Sequence, residues 1–160
     1  MLRHSANSAL NLQVEASRTA ASELGLEMLV LDFAIAEEIG NSFKAASGQR
    51  ADAILPLSDP MALGNAGRIG ELSLEYGIPV VSPFREITEA GGLLSYGPDL
   101  SMLFHRSASV IDQILKGANA GDLPIGEPTD FELGANLRAA RKLNVSIPAS
   151  ILSRATRVVE

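Results

Sequence analysis

Two adjacent pairs, Ser58–Asp59 and Arg85–Glu86, bring a hydroxyl, two carboxylates and a guanidinium into one chain of 160 residues. That set suits the binding of a zwitterion: a carboxylate pairs with an ammonium, and an arginine forks onto a carboxylate through parallel hydrogen bonds. Each pair follows an apolar run, residues 53–57 and 79–82, and Asn7 would sit at the equivalent end of a strand that should precede the first helix. Ligands of open α/β sheets bind outside the carboxyl ends of the strands, so the spacing points to one binding edge. Asp59 keeps a second reading as a helix N-cap ahead of Pro60, and Arg85 with Glu86 a second reading as a solvated ion pair.

Other chemistry finds little support. His4 falls in a terminus expected to fray, and His105 lies beside the apolar stripe of its helix with Asp112 one heptad later. A Ser-His-Asp arrangement would need partners converging from other elements, and no nucleophile elbow is present. Gly64, Gly67 and Gly70 match neither the dinucleotide nor the P-loop spacing. They lie inside a predicted helix, where each costs ~1 kcal/mol relative to Ala, and close helix packing or simple tolerance accounts for them. No catalytic residue, metal set or cofactor is expected. The absence of Cys removes thiolate nucleophiles, disulfides, Cys-ligated zinc and iron–sulfur clusters. Thirteen Lys and Arg against 19 Asp and Glu leave a net charge of −6, which disfavours phosphate-backbone binding, so nucleic acid is not an expected partner. No apolar run approaches the ~20 residues of a membrane span, and no export-signal core follows Met1.

The elements that must position these residues follow from the apolar period. Leu10, Val14, Ser17, Ala21 and Leu24 line one face of a helix stopped by Gly25. A strand is expected at 26–31, a second helix on Ile35, Ile39, Phe43 and Ala46 up to Gly48, and a doubly buried strand around Ala53, Ile54 and Leu55. Asp59 and Pro60 then open a third helix to Tyr76, Gly77 stops it, and Ile78–Val81 form the next strand. Helices alternating with short strands give an α/β fold with a parallel sheet covered on both sides. Beyond Pro83 come a short helix at 84–90, a strand at 93–96, and a long helix capped by Asp99 with a stripe of Leu100, Leu103, Phe104, Ser107, Ile111, Ile114 and Leu115. The Gly- and Pro-rich stretch 118–129 reads as a carrier between bodies. A half-exposed strand at 131–135 and short helices from Asn136 and Pro148 complete the chain.

The ordered string Glu89-Ala90-Gly91-Gly92, Ser95-Tyr96-Gly97-Pro98, Leu115-Lys116-Gly117, Leu123-Pro124, Glu127-Pro128-Thr129 and Phe131-Glu132-Leu133, with Arg50–Ala53 and Leu57–Pro60 upstream, resembles the ABC-transporter substrate-binding protein family, the tryptophan/tyrosine-type solute receptors. The resemblance runs from Asn7 to Glu160. It implies the type I periplasmic-binding fold, two α/β lobes that close over a ligand, with this chain as the C-terminal half and the first lobe largely missing. Residues 1–83 would be the second lobe lacking its first strand, 84–129 a crossing segment with a helix that belongs against the first lobe, and 130–160 the return to the second lobe. Asn7, Ser58, Asp59, Phe84, Arg85 and Glu86 would then line half of a cleft, with Glu86 as the ammonium partner and Phe84 or Tyr96 as apolar walls. Phe84 keeps an equal reading as a core residue.

The function implied is solute binding without chemistry, for a small amino-acid-like ligand passed to an ABC permease in the periplasm or another extracytoplasmic space. Self-association through the uncovered helix 99–117 is a further expectation. Departures from the family pattern are Asp130 at a usually basic position, Gly134 and Ala135 for bulkier strand residues, and the three helix glycines. Two other classes stand beside this reading. A cytoplasmic ligand-sensing module related to the effector lobes of transcriptional regulators shares the fold but lacks any helix-turn-helix or basic arm here, and a small hydrolase or transferase lacks its nucleophile with a nearby His.

Overall fold

A computed structural model describes the whole chain, Met1–Glu160. Its strands are β1 (Leu2–His4), β2 (Leu31–Phe33), β3 (Val81–Ser82), β4 (Leu94–Pro98), β5 (Phe131–Asn136) and β6 (Arg157–Val159). β1 pairs with β2, and β3 to β6 form a second ladder in sequence order. The extended segment 54–56 joins the two, since Pro56 bridges Leu2 and Ile54 bridges Val80. The order across the sheet is therefore β2, β1, 54–56, β3, β4, β5, β6. Every junction is parallel except that of β4 with β5.

Helices cover both faces. α2 (Ile39–Gly48) and α4 (Ala66–Tyr76) lay Ile39, Phe43, Ala46, Ile69 and Leu72 on Leu2, Leu31, Phe33, Ile54 and Val80, and α5 (Arg85–Ala90) adds Ile87. Side chains alternate across a strand, so Val30, one residue before Leu31, faces the other way. There it meets Leu10 and Val14 of α1 (Leu10–Glu23) beside Leu57. Leu94 pairs with Val81 and so shares that second face, where α7 (Leu137–Leu143) and α8 (Ala149–Leu152) cover it through Ala140, Leu143 and Ile151. The α/β architecture covered on both sides, expected from the alternating periods, is the one observed, and its sheet is parallel as expected except at the β4–β5 junction.

Local departures have local causes. The strand expected ahead of α1 is Leu2–His4; it carries Arg3 and His4 and so gives no apolar run of its own. The strand placed at 26–31 begins only at Leu31, because β1 offers its ladder partners from Leu2 onward. The segment around 53–57 is buried at Ile54 but not at Leu55, which is 39% exposed. The distal part of α1's stripe is also uncovered, with Leu24 solvent-facing.

The single helix expected from Pro60 to Tyr76 is interrupted. α3 (Pro60–Gly64) ends at Asn65, whose φ of −108° leaves the helical region and whose amide Nδ2 donates to the Met61 carbonyl at 2.8 Å. Gly64 and Gly67 face open space, so no packing compensates their low helix propensity there. Gly70 is different: a Cβ on it would stand 2.5 Å from the Ala90 carbonyl, so its bare backbone lets α4 lie directly against the end of α5.

α6 (Leu100–Leu115) starts where Asp99 was expected to cap it, the carboxylate accepting from the N–H groups of Ser101 and Met102. None of its residues is buried.

Candidate functional site

The connections from β1 and β2 set the site. α1 carries the chain from β1 to β2 on one side, and the next crossover, through α2, brings it back past β1 to the segment 54–56 on the other. The carboxyl ends of β1 and of 54–56 are thus a topological switch point, where two departing chains leave a crevice.

Asp59, 3% exposed, is the hub of that crevice. Its Oδ1 caps α3 by accepting from the Met61 N–H at 2.8 Å, and its Oδ2 accepts from Asn7 Nδ2 at 2.8 Å. His4 Nδ1 lies 3.3–3.4 Å from both carboxylate oxygens, and its ring stacks on Phe33 with centroids 5.4 Å apart. Burial pushes the Asp59 carboxyl up, but the hydrogen bonds from Asn7, the Met61 N–H and His4 outweigh it and hold its pKa below the ordinary Asp value. The N-cap reading of Asp59 is the one observed, and the same carboxylate also holds Asn7 and His4. Asn7 is spent on Asp59 and on the Ala9 N–H, which its Oδ1 accepts at 3.1 Å. His4, expected to fray, is instead a strand residue in this cluster, and only the tertiary pairing of β1 could reveal that.

Ser58 is exposed, with its backbone N–H donating to Gln13 Oε1 at 3.1 Å. It lines an open trough of about 440 Å³ that runs from α1 across Leu55 and Val81 to Pro83 and Tyr96. Tyr96 stacks on Phe131 of β5, centroids 5.5 Å apart, and 58% of it stays exposed. The structure thus brings Ser58 and Tyr96 to one concave surface.

Arg85 and Glu86 open α5 at the carboxyl end of β3, in a turn fixed by the Phe84 N–H donating to Ser82 Oγ at 2.9 Å. Arg85 Nη1 donates to Glu132 Oε2 at 3.1 Å, and its Nε lies 3.6 Å from Glu86 Oε1. The hydrogen bond to Glu132 raises the guanidinium's pKa further, so Arg85 is a permanent cation flanked by two anions. Glu132 was missed as a site residue. Its contact depends on the antiparallel register that sets Glu132 opposite Gly97, which no local pattern encodes. Phe84 is buried in the main core and also borders the crevice that holds Arg85, Glu86, Ser95 and Glu132. His105 is exposed, and no group of three or more His, Cys, Asp or Glu is placed to hold a metal.

Residues 1–159 match the family model described as ABC transporter substrate binding protein. This chain belongs to that family. No curated protein sequence matches the family member. Among solved structures, a conserved domain protein from Vibrio cholerae O1 biovar El Tor superposes with a TM-score of 0.90 at 20% identity, over 98% of this chain and 53% of that one. The ABC domain of Streptococcus pneumoniae in complex with L-Trp gives 0.89 at 25% identity, over 99% and 53%. The ligand-free, open structure of a substrate-binding protein with adhesive properties from Clostridium difficile gives 0.71 at 18% identity, over 99% and 52%. The chain therefore spans about half the length of the structures it matches, and its fold is that of one periplasmic-binding lobe. The family is one of binding components rather than catalysts. No helix is long and apolar enough to cross a membrane.

Proposed function

We propose that this chain supplies half of a cleft that holds a small amino-acid-like solute, unchanged, for delivery to an ABC permease in an extracytoplasmic space. The observation that carries the reading is the polar edge at the switch point, assembled from β1, 54–58 and the β3–α5 turn in a chain of a substrate-binding family. Ser58, Arg85 and Glu86 would meet the solute. Asn7 and Asp59 brace that edge from behind, and Phe84 is the wall beneath Arg85. Arg85 Nη2 has no partner in the chain and is the group offered to a carboxylate, while Glu86, with 40% of its side chain exposed, is offered to an ammonium. The L-Trp complex of the pneumococcal relative supports this solute class. In this reading residues 1–83 and 130–160 are the second lobe, and 84–129 carry the chain across to a first lobe.

Titration of the chain with L-tryptophan, L-leucine and glycine, followed by amide NMR, tests the proposal. Shifts at Ser58, Arg85 and Glu86 are expected with at least one of them, and Glu86→Gln should weaken binding several-fold. Saturating amounts of all three with no shift at these amides would remove the amino-acid reading.

α6 bears on partners. It exposes Phe104, Ile111 and Leu115 along one face, each worth ~1.5–3 kcal/mol on full burial. Where no first lobe packs on α6, a second copy is the cover. Sedimentation should show mass rising with concentration, and the pair Phe104→Glu with Ile111→Glu should return the chain to monomer. A wild-type monomer at high micromolar concentration contradicts this expectation.

A further inference from the structure

We propose that the crevice at the β3–α5 turn selects, among amino-acid-like solutes, those that carry a surplus ammonium or guanidinium group. The inference rests on the reading of this edge as half of an amino-acid cleft. It starts from the charges that border the crevice. Arg85 is the only cation there, and no Lys, Arg or His borders the trough beside Ser58. Against it stand Glu86 and Glu132, both on the same guanidinium, at 3.6 and 3.1 Å. Asp99, between the crevice residues Pro98 and Leu100, also acts on Arg85. Three carboxylates thus face one guanidinium, two negative charges in excess. Cations of the adjoining elements are held elsewhere, Arg106 of α6 by Asp130 and Arg157 of β6 by Glu89.

The excess is not spread evenly. Asp99 sits at the N-terminus of α6, where its carboxylate accepts from two backbone N–H groups and the helix dipole answers part of its charge. Glu86 stands in the first turn of α5 and is the group assigned to the solute's α-ammonium. Glu132 stands on a strand and has only Arg85, a cation it must share with Glu86 and with the solute's own carboxylate. A zwitterion adds no net charge and leaves Glu132 short of a partner, whereas a second cationic group on the solute supplies one. Such a group gains in a walled crevice, where the field is focused rather than dispersed in water. Ser95 borders the same crevice, is 2% exposed, and its Oγ meets no partner in the chain. A buried hydroxyl left unanswered marks a hydrogen bond that a ligand or a water completes.

L-Lysine and L-norleucine share an unbranched side chain of equal carbon count and differ in the terminal ammonium. With L-glutamate they are the probes, titrated calorimetrically into the full chain at low and at high salt. Wild type should bind lysine about tenfold more tightly than norleucine at low salt, and glutamate least. The gap should narrow at ~1 M salt, where charges are screened beyond ~3 Å. Glu132→Gln keeps an amide oxygen for Arg85 Nη1 and removes one charge. It should cut the lysine-to-norleucine affinity ratio several-fold, which a merely structural role would not do. Norleucine binding as tightly as lysine, glutamate binding more tightly than either, a gap that salt leaves untouched, or a ratio unmoved by Glu132→Gln overturns the inference and leaves amino-acid binding standing. Failure of all three probes to bind overturns the proposed function and this inference together. Should Glu132→Gln not fold, the order of the three probes in wild type and its salt dependence decide.

Discussion

Asp59→Ala is expected to remove about 2–4 kcal/mol of folding stability. Loss of an N-cap costs ~0.5–2 kcal/mol, and each hydrogen bond to a charged group contributes ~1.5–3 kcal/mol. Here the same carboxylate caps α3 and holds both Asn7 and His4. Asn7 and His4 remain partly exposed, so water recovers some of what they lose, and the sum stays below the arithmetic maximum. Urea unfolding of the two proteins measures the difference, and a change under ~1 kcal/mol would be too small for a carboxylate with three partners.

The same residue sets an acid limb. Its pKa is lowered in the folded chain, so the unfolded chain binds the proton more readily and stability rises with pH through this window. The contribution is fully present above the unfolded Asp value of ~3.9 and is lost as pH falls toward the folded one. Asp59→Asn should flatten that limb. Asp32 is also lowered, by its hydrogen bond from Arg3, but it lies half in solvent. Its share should fade in salt while that of the sealed Asp59 persists.

Gly97→Ala is the second large effect. Gly97 lies in β4 with the Pro83 carbonyl directly against its α-carbon, and a Cβ there would overlap that oxygen. Both sides of the clash are backbone, so no rotamer relieves it. The strand or the β3–α5 turn must shift, at a cost at or above the ~1–3 kcal/mol usual for overpacking. The turn is also where Arg85 and Glu86 are presented. The substitution should therefore lower the melting temperature and displace the Arg85 and Glu86 amides in the same sample. A variant as stable as wild type would mean that Pro83 moves freely.

What the sequence disclosed divides along the range of the forces involved. Asp59 with Pro60, Asp99, Asn136 and the left-handed Gly25 and Gly77 are local devices, and each stands at a helix end as expected. The α/β alternation was legible because buried strands and amphipathic helices write different periods. β1 was expected from the alternation but not from its own residues: three residues that include Arg3 and His4 are made a strand by pairing with Leu31–Phe33, a partner found about thirty residues on. The Arg85–Glu132 pair and the His4–Asp59 contact were hidden for the same reason. Each joins side chains from elements far apart in sequence, and the polarity that made Arg85, Glu86 and Asp59 conspicuous says nothing of whom they face.

The reversal of direction between β4 and β5 has a consequence for how the chain is assembled. Asp99 and Asp130 meet through a backbone hydrogen bond of 3.0 Å just beyond the paired ends Pro98 and Phe131. Everything from 100 to 129 is thus an excursion that leaves and re-enters the sheet at one point. Antiparallel neighbours need no crossover and can be joined by two residues, so the sheet places no demand on the length or content of this stretch. Closure entropy grows only by ~0.6 kcal/mol per doubling of a loop. The base of β4 and β5 is therefore a socket: the body would tolerate a tight turn there, or a far larger insert, with nearly the same stability.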